Sequence, residues 1–322
     1  MSWTKEGARQ HLAKYIILDE LPFRHVEGEG FRQYSHYMNP KFYPPSRITI
    51  ARDIYNVYLD EKKKLKSVMS RERVCLTTDT WTSIQNINYM GVTSHWIDGD
   101  WKFHKKIIGF FQVANHKGDT IANEMMGCLK DWGIWKVFTV TVDNASSNDT
   151  TLQKLKKKLC KKKGGVVIGG DLLHMSKIRQ IFTGTTWKVQ GLHEGGEHSS
   201  KAVKRGGSEK NEIDRYLNED NDDLGDDFDI LASWKHNASR YKVLSRIARD
   251  VLASPISSIA SESAFSTGGR ILDPFMSSLS SKMVEALICS KNWLNSDGKP
   301  IVIREYMDGV EGYKDCVEVL PN

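Results

Sequence analysis

Two stretches of this sequence decide its fold, RVCLTTDTW at residues 73–81 and KVFTVTVD at residues 136–143. Each is a short run rich in β-branched and apolar residues, and such runs are typical of strands that are buried in a sheet. Each run also leads into an aspartate, Asp79 in the first and Asp143 in the second. The sequence therefore predicts two buried strands, each ending at an acidic residue.

The residues between these stretches predict two more strands and a helix. YMGVTSHWI (residues 89–97) and WKFHKKIIGFFQV (residues 101–113) are strand-like, and Asp98-Gly99-Asp100 between them is a tight-turn signal. Residues 120–132 then place apolar side chains at helical spacing. The predicted order is strand, strand, strand, helix, strand. This order predicts an α/β fold with an RNase H-like core, in which helices flank a mixed sheet.

Three acidic residues form the candidate catalytic site. In an RNase H-like sheet the first and fourth strands are neighbours, so Asp79 and Asp143, 64 residues apart in sequence, are predicted to face each other. Paired carboxylates repel unless a cation lies between them. Their hard oxygen atoms suit Mg²⁺, which can promote phosphodiester chemistry. Glu262, on a helix of small residues, is the candidate third ligand. Alternatively, Asp79 and Asp143 are only turn or cap residues.

Helices are predicted before and after this core. Residues 8–68 are mostly helical, with one helix from His11 to Leu18 and another that Ser46 can cap. Residues 212–295 return to helix, where Ile247 shares an apolar face with its helical neighbours. The predicted parts are a helical N-terminal region (1–70), the first part of the core (71–182), a disordered basic linker (183–211), a C-terminal region that completes the core (212–296) and a tail (297–322).

The net charge of +6 is distributed unevenly. Residues 150–211 contain 14 Lys or Arg against 4 Asp or Glu, whereas residues 212–229 contain nine acidic residues and one basic residue. A basic stripe neutralises phosphates and releases counterions, which favours nucleic acid. Alternatively, these lysines form only a solvated helix face. The candidate DNA-binding residues are Lys154, Lys157, Lys158, Lys161, Lys162 and Lys163.

Composition argues against several other classes of protein. No run approaches the roughly 18 apolar residues of a membrane helix, so no membrane partner is expected. The charged start MSWTKEGARQ differs from a secretion signal. The five cysteines are scattered and form no CxxC pair, so neither a disulfide framework nor a structural zinc site is expected.

Longer motifs carry a family resemblance. CLTTDTWTSIQNINYMGVTSHWID (residues 75–98), TVDNASSND (residues 141–149) and residues 228–294, which include ASESAFS, resemble plant hAT-superfamily transposases. The resemblance is to their zinc-finger-BED, RICESLEEPER/DAYSLEEPER-like branch in particular. It implies that the three acidic residues above form a DDE triad that binds Mg²⁺, and that the protein acts on DNA in the nucleus. It also implies that the C-terminal region dimerises, with a second copy or with a related hAT protein.

The C-terminal region carries apolar area of the kind that an interface core needs. A predicted helix over residues 282–294 has one apolar stripe, and large aromatic residues precede it. Alternatively, these side chains fill the core of their own chain. The candidate dimerisation residues are Trp234, Tyr241, Met283, Leu287, Trp293 and Leu294.

Two parts expected of such a transposase are missing from this sequence. No ligand set for a BED zinc finger precedes His11, and only 119 residues separate Asp143 from Glu262, too few for the helical insertion of the family. The sequence therefore predicts a transposase-derived nuclear protein that dimerises and binds DNA without transposing. Two alternatives stay open: a competent Mg²⁺-dependent DDE transposase or nuclease, and a decayed transposon copy without function.

Overall fold

A computed structural model describes residues 3–83, 86–142, 147–160, 212–217, 229–255, 259–271 and 279–295. The elements in chain order are α1 (Lys5–Leu18), a 3₁₀ helix (Phe23–Glu27), α2 (Glu29–Met38), α3 (Arg47–Met69), β1 (Val74–Thr82), β2 (Asn88–Ile97), β3 (Phe103–Gln112), α4 (Gly118–Trp132), β4 (Val137–Thr141), α5 (Ser147–Cys160), α6 (Glu212–Leu217), α7 (Ile230–Asn237), α8 (Leu244–Leu252), α9 (Ile259–Ile271) and α10 (Ser281–Asn295). The predicted linker and tail lie outside the described residues. Within the described ranges, no helix combines the length and the apolar character that crossing a bilayer requires.

Hydroxyl caps begin two of the N-terminal helices. The Thr4 side chain accepts a hydrogen bond from the Gly7 amide at the start of α1. The Ser46 side chain accepts one from the Thr49 amide at the start of α3, which confirms the predicted cap. α1 begins at Lys5, further toward the N-terminus than the sequence pattern indicated. Buried isoleucines of α1 and α3 pack together in one hydrophobic cluster.

The four described strands form one mixed sheet in the order β3-β2-β1-β4. β2 is antiparallel to both β1 and β3, whereas β4 is parallel to β1. A parallel pair needs a long crossover connection, which here runs through β2, β3 and α4. The first and fourth strands are therefore neighbours, which confirms the predicted RNase H-like arrangement.

The prediction that the first strand ends at Asp79 is wrong. β1 continues to Thr82 and pairs with β2 over this whole length. Its parallel pairing with β4 ends earlier, where Thr77 lies opposite Thr141. The antiparallel partner is longer than the parallel one, so β2 supports β1 beyond the point at which the described part of β4 stops.

The predicted tight turn joins β2 to β3. Asp98 closes it, because its Oδ1 atom accepts hydrogen bonds of 2.9 Å from the amides of both Asp100 and Lys102. The left-handed backbone conformation falls on Trp101, with φ of 64°, and not on Gly99. The turn residues were thus predicted correctly, but the sequence did not indicate that Trp101 takes the left-handed conformation.

An irregularity at Ile108 in β3 connects the sheet to two helices. The register between β2 and β3 shifts here by one residue, as in a β-bulge. Two indole groups donate to backbone carbonyls at this point: Trp293 of α10 to Ile107 at 2.8 Å and Trp132 of α4 to Ile108 at 2.6 Å. The Ile107 amide also donates to Asn292 Oδ1 at 2.9 Å. The C-terminal helix therefore satisfies backbone groups of an edge strand.

Trp293 also joins three other parts of the chain. Its ring stacks on Tyr58 of α3, with centroids 5.4 Å apart and planes at 13°, and meets Trp132 of α4 edge-on at 5.8 Å. The side chain is only 2% exposed. The N-terminal helices, the sheet and the C-terminal helix thus share one aromatic centre.

Glu20 forms a second link between the two ends of the chain. Its carboxylate accepts hydrogen bonds from Arg270 of α9 at 2.7 and 2.9 Å, and it pairs with Lys291 of α10 at 2.6 Å. The Arg270 hydrogen bonds and the Lys291 cation lower the pKa of Glu20 below its ordinary value. The loop after α1 is therefore attached to both of the last two helices.

The buried side chains form two hydrophobic clusters. One contains the N-terminal helices, α4, α9 and α10, and the other contains α7 and α8 around Trp101 and Trp234. Cys75 and Leu76, neighbours on β1, belong to different clusters because successive strand residues point to opposite faces. The C-terminal region therefore contributes helices to both clusters.

Replacing Trp293 tests how strongly the C-terminal helix is held. Trp293→Ala removes a buried ring and the donor to Ile107, so we expect the free energy of unfolding to fall by about 3–5 kcal/mol. Trp293→Phe keeps a ring but loses the indole donor, so we expect a loss of about 1–3 kcal/mol. Urea denaturation followed by circular dichroism measures both values. Three equally stable proteins would contradict a structural role for this ring.

Candidate functional site

Asp79 is the predicted triad residue whose side chain lies within the described part of the chain. It is half-buried on β1, two residues beyond Thr77, where the described pairing with β4 ends. Its Oδ1 atom accepts a hydrogen bond of 2.7 Å from the Thr80 amide. The carboxylate thus lies near the sheet edge at which the parallel strand pair stops.

The helix that carries Glu262 packs beside Asp79. Asp79 lies directly opposite Gly91 on β2, so both residues face the same side of the sheet. A Cβ atom at Gly91 would lie 3.3 Å from Phe265 and 3.8 Å from Ala264, both on α9. α9 therefore covers the sheet face on which Asp79 lies, and the absence of a side chain at Gly91 lets it approach closely.

Aromatic contacts fix α9 in this position. The Phe265 ring stacks on Trp81, two residues after Asp79, with centroids 6.1 Å apart, and it also contacts Phe110 of β3 at 6.0 Å. One turn further along α9, Gly268 lies against the Phe110 ring. The helix is thus held by packing across three strands.

The segment that leads into α9 is attached to β4. The hydroxyl groups of Thr139 and Ser254 form a hydrogen bond of 3.1 Å, and the Thr141 hydroxyl donates one of 3.1 Å to the Pro255 carbonyl. Thr139 and Thr141 are alternate residues of β4 and so face the same side. Residues 254–255 and α9 therefore run from β4 toward β1 and β2.

The triad is described only in part. Asp143 lies outside the described residues, and the structure describes Glu262 only as a position on the α9 backbone. Among the described side chains, no group of three or more His, Cys, Asp or Glu residues is arranged to hold a metal ion. The Mg²⁺ site of Asp79, Asp143 and Glu262 therefore stays a prediction.

A polar network next to Asp79 was not predicted from the sequence. His116, in the loop before α4, contacts the Thr80 hydroxyl at 3.0 Å and Asn88 Oδ1 at 2.8 Å. Thr82 also donates to Asn88 Oδ1 at 2.8 Å. The network links the loop to the end of β1 beyond Asp79. The only sequence signal was a polar Asn-His pair after the third strand, too common to be informative.

The predicted DNA-binding lysines differ in their surroundings. Lys154 pairs with Asp119 and Lys158 donates to Asn123, both on α4, whereas Lys157 is exposed. Lys161, Lys162 and Lys163 lie outside the described residues. Part of the basic face of α5 therefore attaches that helix to α4.

Four of the predicted dimerisation residues are buried within a single copy, and their part in an interface stays a prediction. Trp234 and Tyr241 lie in one hydrophobic cluster, and Leu287 and Trp293 lie in the other. A side chain buried within one copy is not available on its surface, which favours the alternative that these side chains fill the core of their own chain. Met283 and Leu294 are partly buried and pack against the same cluster as Trp293.

Exposed apolar side chains in the C-terminal region lie elsewhere. Within its described residues, the large ones are Ile213, Val243 and Ile247, of which Val243 is 60% exposed. Ile247 was predicted to share an apolar face with its helical neighbours; Leu244 and Val251 of that face are buried, whereas Ile247 is 39% exposed. The Glu212 carboxylate accepts hydrogen bonds from the Val243 and Leu244 amides, which brings the start of α6 to the start of α8. We call Ile213, Val243 and Ile247 the apolar patch.

A cavity of about 470 Å³ lies away from Asp79, between α3, α4 and α10. Its lining includes Lys62, which pairs with Asp131 at 2.8 Å, and Glu285, whose pKa is raised by burial. Its charged groups thus stabilise the helix packing.

Two family models match the chain in the regions just described. Residues 77–171 match the ZBED1 RNase-like domain. Residues 212–294 match the hAT family C-terminal dimerisation region. The protein thus combines an RNase-like α/β core with a helical dimerisation region.

Several curated proteins are similar to this chain. It is 37% identical over 169 residues to the putative AC transposase of Zea mays, covering 51% of this chain and 21% of that protein. It is 30% identical over 173 residues to the zinc finger BED domain-containing protein DAYSLEEPER of Arabidopsis thaliana, covering 52% and 25%. It is 40% identical over 153 residues to RICESLEEPER 4 of Oryza sativa subsp. japonica, covering 46% and 22%. The aligned part spans about a quarter or less of each relative.

The two matched regions together cover more than half of the chain. The chain thus carries an RNase-like domain and an hAT-family dimerisation region, and it is similar to plant transposase and Sleeper proteins. The resemblance expected from the sequence motifs is confirmed.

Substitutions at two neighbouring glycines of α9 test how closely this helix packs against the sheet. A Cβ atom at Gly268 would lie 2.8 Å from the Phe110 ring, whereas one at Gly269 would have nothing within 4 Å. We expect Gly268→Ala to lower the free energy of unfolding by about 1–3 kcal/mol through overpacking. Gly269→Ala should raise it by about 0.5–1 kcal/mol through helix propensity. Thermal and urea denaturation measure both, and equal effects would contradict close packing of α9.

Proposed function

We propose that this protein is a transposase-derived DNA-binding protein that acts in the nucleus as a dimer and does not transpose. The observation that carries the proposal is the apolar patch, which lies within the matched dimerisation region. Exposed apolar side chains that cluster on a folded domain are typical of interaction surfaces. Four of the six residues first predicted for the interface are buried and the other two are partly buried, so the patch is the better candidate for self-association.

The charges around the apolar patch suit a second copy of this chain. Arg215, Lys242 and Arg246 are exposed beside it. The nine acidic residues between 212 and 229 include many that directly follow α6 in sequence. A dimer that places basic groups of one copy near the acidic stretch of the other gains electrostatic complementarity, which gives specificity to an apolar contact.

DNA binding is supported by the charge distribution. Residues 150–211 contain 14 basic and 4 acidic residues, and Lys157 on α5 is exposed. Contacts of lysines with phosphates position a protein on DNA without reading its sequence. We therefore propose salt-dependent binding with little sequence specificity. Similarity to BED-finger proteins and transposases supports action in the nucleus.

The absence of transposition is inferred from the length of the chain between the acidic residues. Only 119 residues separate Asp143 from Glu262. The family resemblance implies a long helical insertion in this interval, and a segment this short leaves no room for it. A protein without that insertion keeps the core and the dimerisation region but lacks the part that would hold transposon ends.

A second candidate function, phosphodiester cleavage, is favoured by the docking of α9. Asp143 follows Thr141 by two residues, as Asp79 follows Thr77, and Thr77 pairs with Thr141. We therefore expect both carboxylates at the same level of the sheet. α9 brings the backbone of Glu262 to this face independently of the linker. Such packing supplies the preorganisation that a catalytic site needs.

The residues present fit a hard divalent cation. Asp79 offers a half-exposed carboxylate, and Asp143 and Glu262 would complete an all-oxygen ligand set, which suits Mg²⁺. When bound, Mg²⁺ would activate a nucleophile and stabilise the leaving oxygen. Of the chain's own residues, Thr80 orients the Asp79 carboxylate through its amide.

Charged substitutions in the apolar patch test the dimer. Val243→Lys and Ile247→Lys each add a charge at an exposed position of the patch, and neither puts a second carboxylate beside Glu212, which accepts from the Val243 and Leu244 amides. We expect wild type to be a dimer at tens of micromolar and the double variant to be a monomer of unchanged helicity. Light scattering and circular dichroism measure both.

Val68→Lys is the matched control, because Val68 is 46% exposed on α3, outside the C-terminal region. It should remain a dimer. A monomeric wild type, or a double variant that stays dimeric, would contradict the proposed interface.

Nicking of supercoiled DNA distinguishes the two candidate functions. For a protein without catalysis, wild type, Asp79→Asn and Glu262→Gln should produce the same background of nicked plasmid with Mg²⁺ or Mn²⁺. Wild-type nicking that is lost by at least about a hundredfold in both variants, with unchanged circular dichroism, would establish the second candidate, because each carboxylate would then be a ligand of the catalytic metal.

A further inference from the structure

The N-terminal helical region displays an unusual set of exposed aromatic rings. Tyr34 and Tyr37 on α2 are 63% and 87% exposed, and Tyr43 in the following loop is 69% exposed. The apolar side chains Met38 and Ile48 beside them are also exposed. Large rings in water carry a cost that burial against a partner removes, so this surface is a candidate binding site.

The three rings lie on or beside the outer half of α2. Tyr34 and Tyr37 are three residues apart on α2, so they are neighbours on its outer face. The Tyr43 ring lies 6.0 Å from the ring of His36, also on α2. The opposite face of α2 buries Ser35 and packs Phe31 against the core, which fixes the helix in place. The rings are therefore presented by a rigid element.

Basic residues are interleaved with these rings. Residues 28–52 contain four Lys or Arg, of which Arg47 pairs with Glu27, and a single acidic residue, Glu29, which accepts a hydrogen bond from Gln33. Arg32 and Lys41 are exposed, one on α2 and the other in the loop before Tyr43. We call Arg32, Tyr34, Tyr37, Lys41 and Tyr43 the tyrosine surface.

We propose that the tyrosine surface binds single-stranded nucleic acid by stacking bases on Tyr34, Tyr37 and Tyr43 while Arg32 and Lys41 contact phosphates. The proposal deepens the DNA-binding part of the proposed function. It assigns a second binding element, different in chemistry from the lysines of α5.

The chemistry favours unpaired bases over a duplex or a protein. Exposed aromatic rings together with cations are the recurrent means of holding single strands, because every base has a flat face that stacks. In a duplex those faces are already stacked on neighbouring base pairs, so the rings would have little to bind. Tyrosine and arginine are also common at protein interfaces, so the measurement of mass below tests a protein partner, whereas charge complementarity favours a polyanion.

Three fluorescent oligonucleotides of equal length separate base stacking from phosphate contacts. The probes are a dT 20-mer, a 20-mer of abasic sites with the same phosphates, and a 20-base-pair duplex. Fluorescence anisotropy gives their affinities for full-length wild type and for the triple variant Tyr34→Leu, Tyr37→Leu, Tyr43→Leu. Leucine keeps apolar bulk and removes the ring, and the triple Tyr→Phe variant keeps the ring.

We expect wild type to bind dT more tightly than the abasic strand. The leucine variant should lose about tenfold or more in affinity for dT for each ring that stacks. Its affinity for the abasic strand and the duplex should not change, and the phenylalanine variant should match wild type. Circular dichroism checks that all variants are folded.

The other outcomes can be told apart. Duplex binding without preference for dT over the abasic strand leaves the proposed DNA binding intact and removes the stacking site. Single-strand binding without duplex binding supports the tyrosine surface and contradicts the proposed duplex contacts. An equal loss on all three probes contradicts stacking, and absence of binding to all three contradicts both proposals. A lower mass of the leucine variant in light scattering would identify the surface as a protein interface instead.

Discussion

The hydrogen bond from the Trp293 indole to the Ile107 carbonyl is the interaction on which the rest of this structure depends. A bulge at an edge strand would otherwise leave buried backbone groups without partners, and such groups are costly. Trp293 and Asn292 of the last helix satisfy them, and Trp293 also stacks on Tyr58 from the N-terminal region. The C-terminal helix is therefore part of the core and not an appendage added for dimerisation.

Much of the sheet could be predicted from the sequence, because β-branched runs and turn residues are local signals. The order of the strands then placed β1 next to β4, which the structure confirms. The roles of the C-terminal apolar residues could not be predicted, because a buried stripe looks the same whether it faces its own sheet or another copy. The bulge at Ile108 and the network of His116 with Thr80 and Asn88 depend on contacts between distant segments, and no local pattern reports them.

The candidate site, too, could be predicted from the sequence only in part. Motifs identified Asp79 and the helix of Glu262, and the structure shows why that helix lies near Asp79: Gly91 leaves room and Phe265 stacks on Trp81. The position of α9 is thus set by packing and by the pairing of Glu20 with Arg270, not by the linker that precedes the C-terminal region. A chain with these two domains can therefore keep the scaffold of the candidate site even when the chain between the acidic residues is short.

The central claim is that the C-terminal region completes the RNase-like core of the same chain. A specific protease site inserted between residues 183 and 211 tests this claim directly. Cleavage there cuts the covalent connection between the two parts, but it leaves in place every non-covalent contact described above. We predict that the two fragments of the cleaved protein co-elute as one complex in size-exclusion chromatography and unfold in one transition. Two fragments that separate without denaturant, each with its own unfolding transition, would contradict the claim.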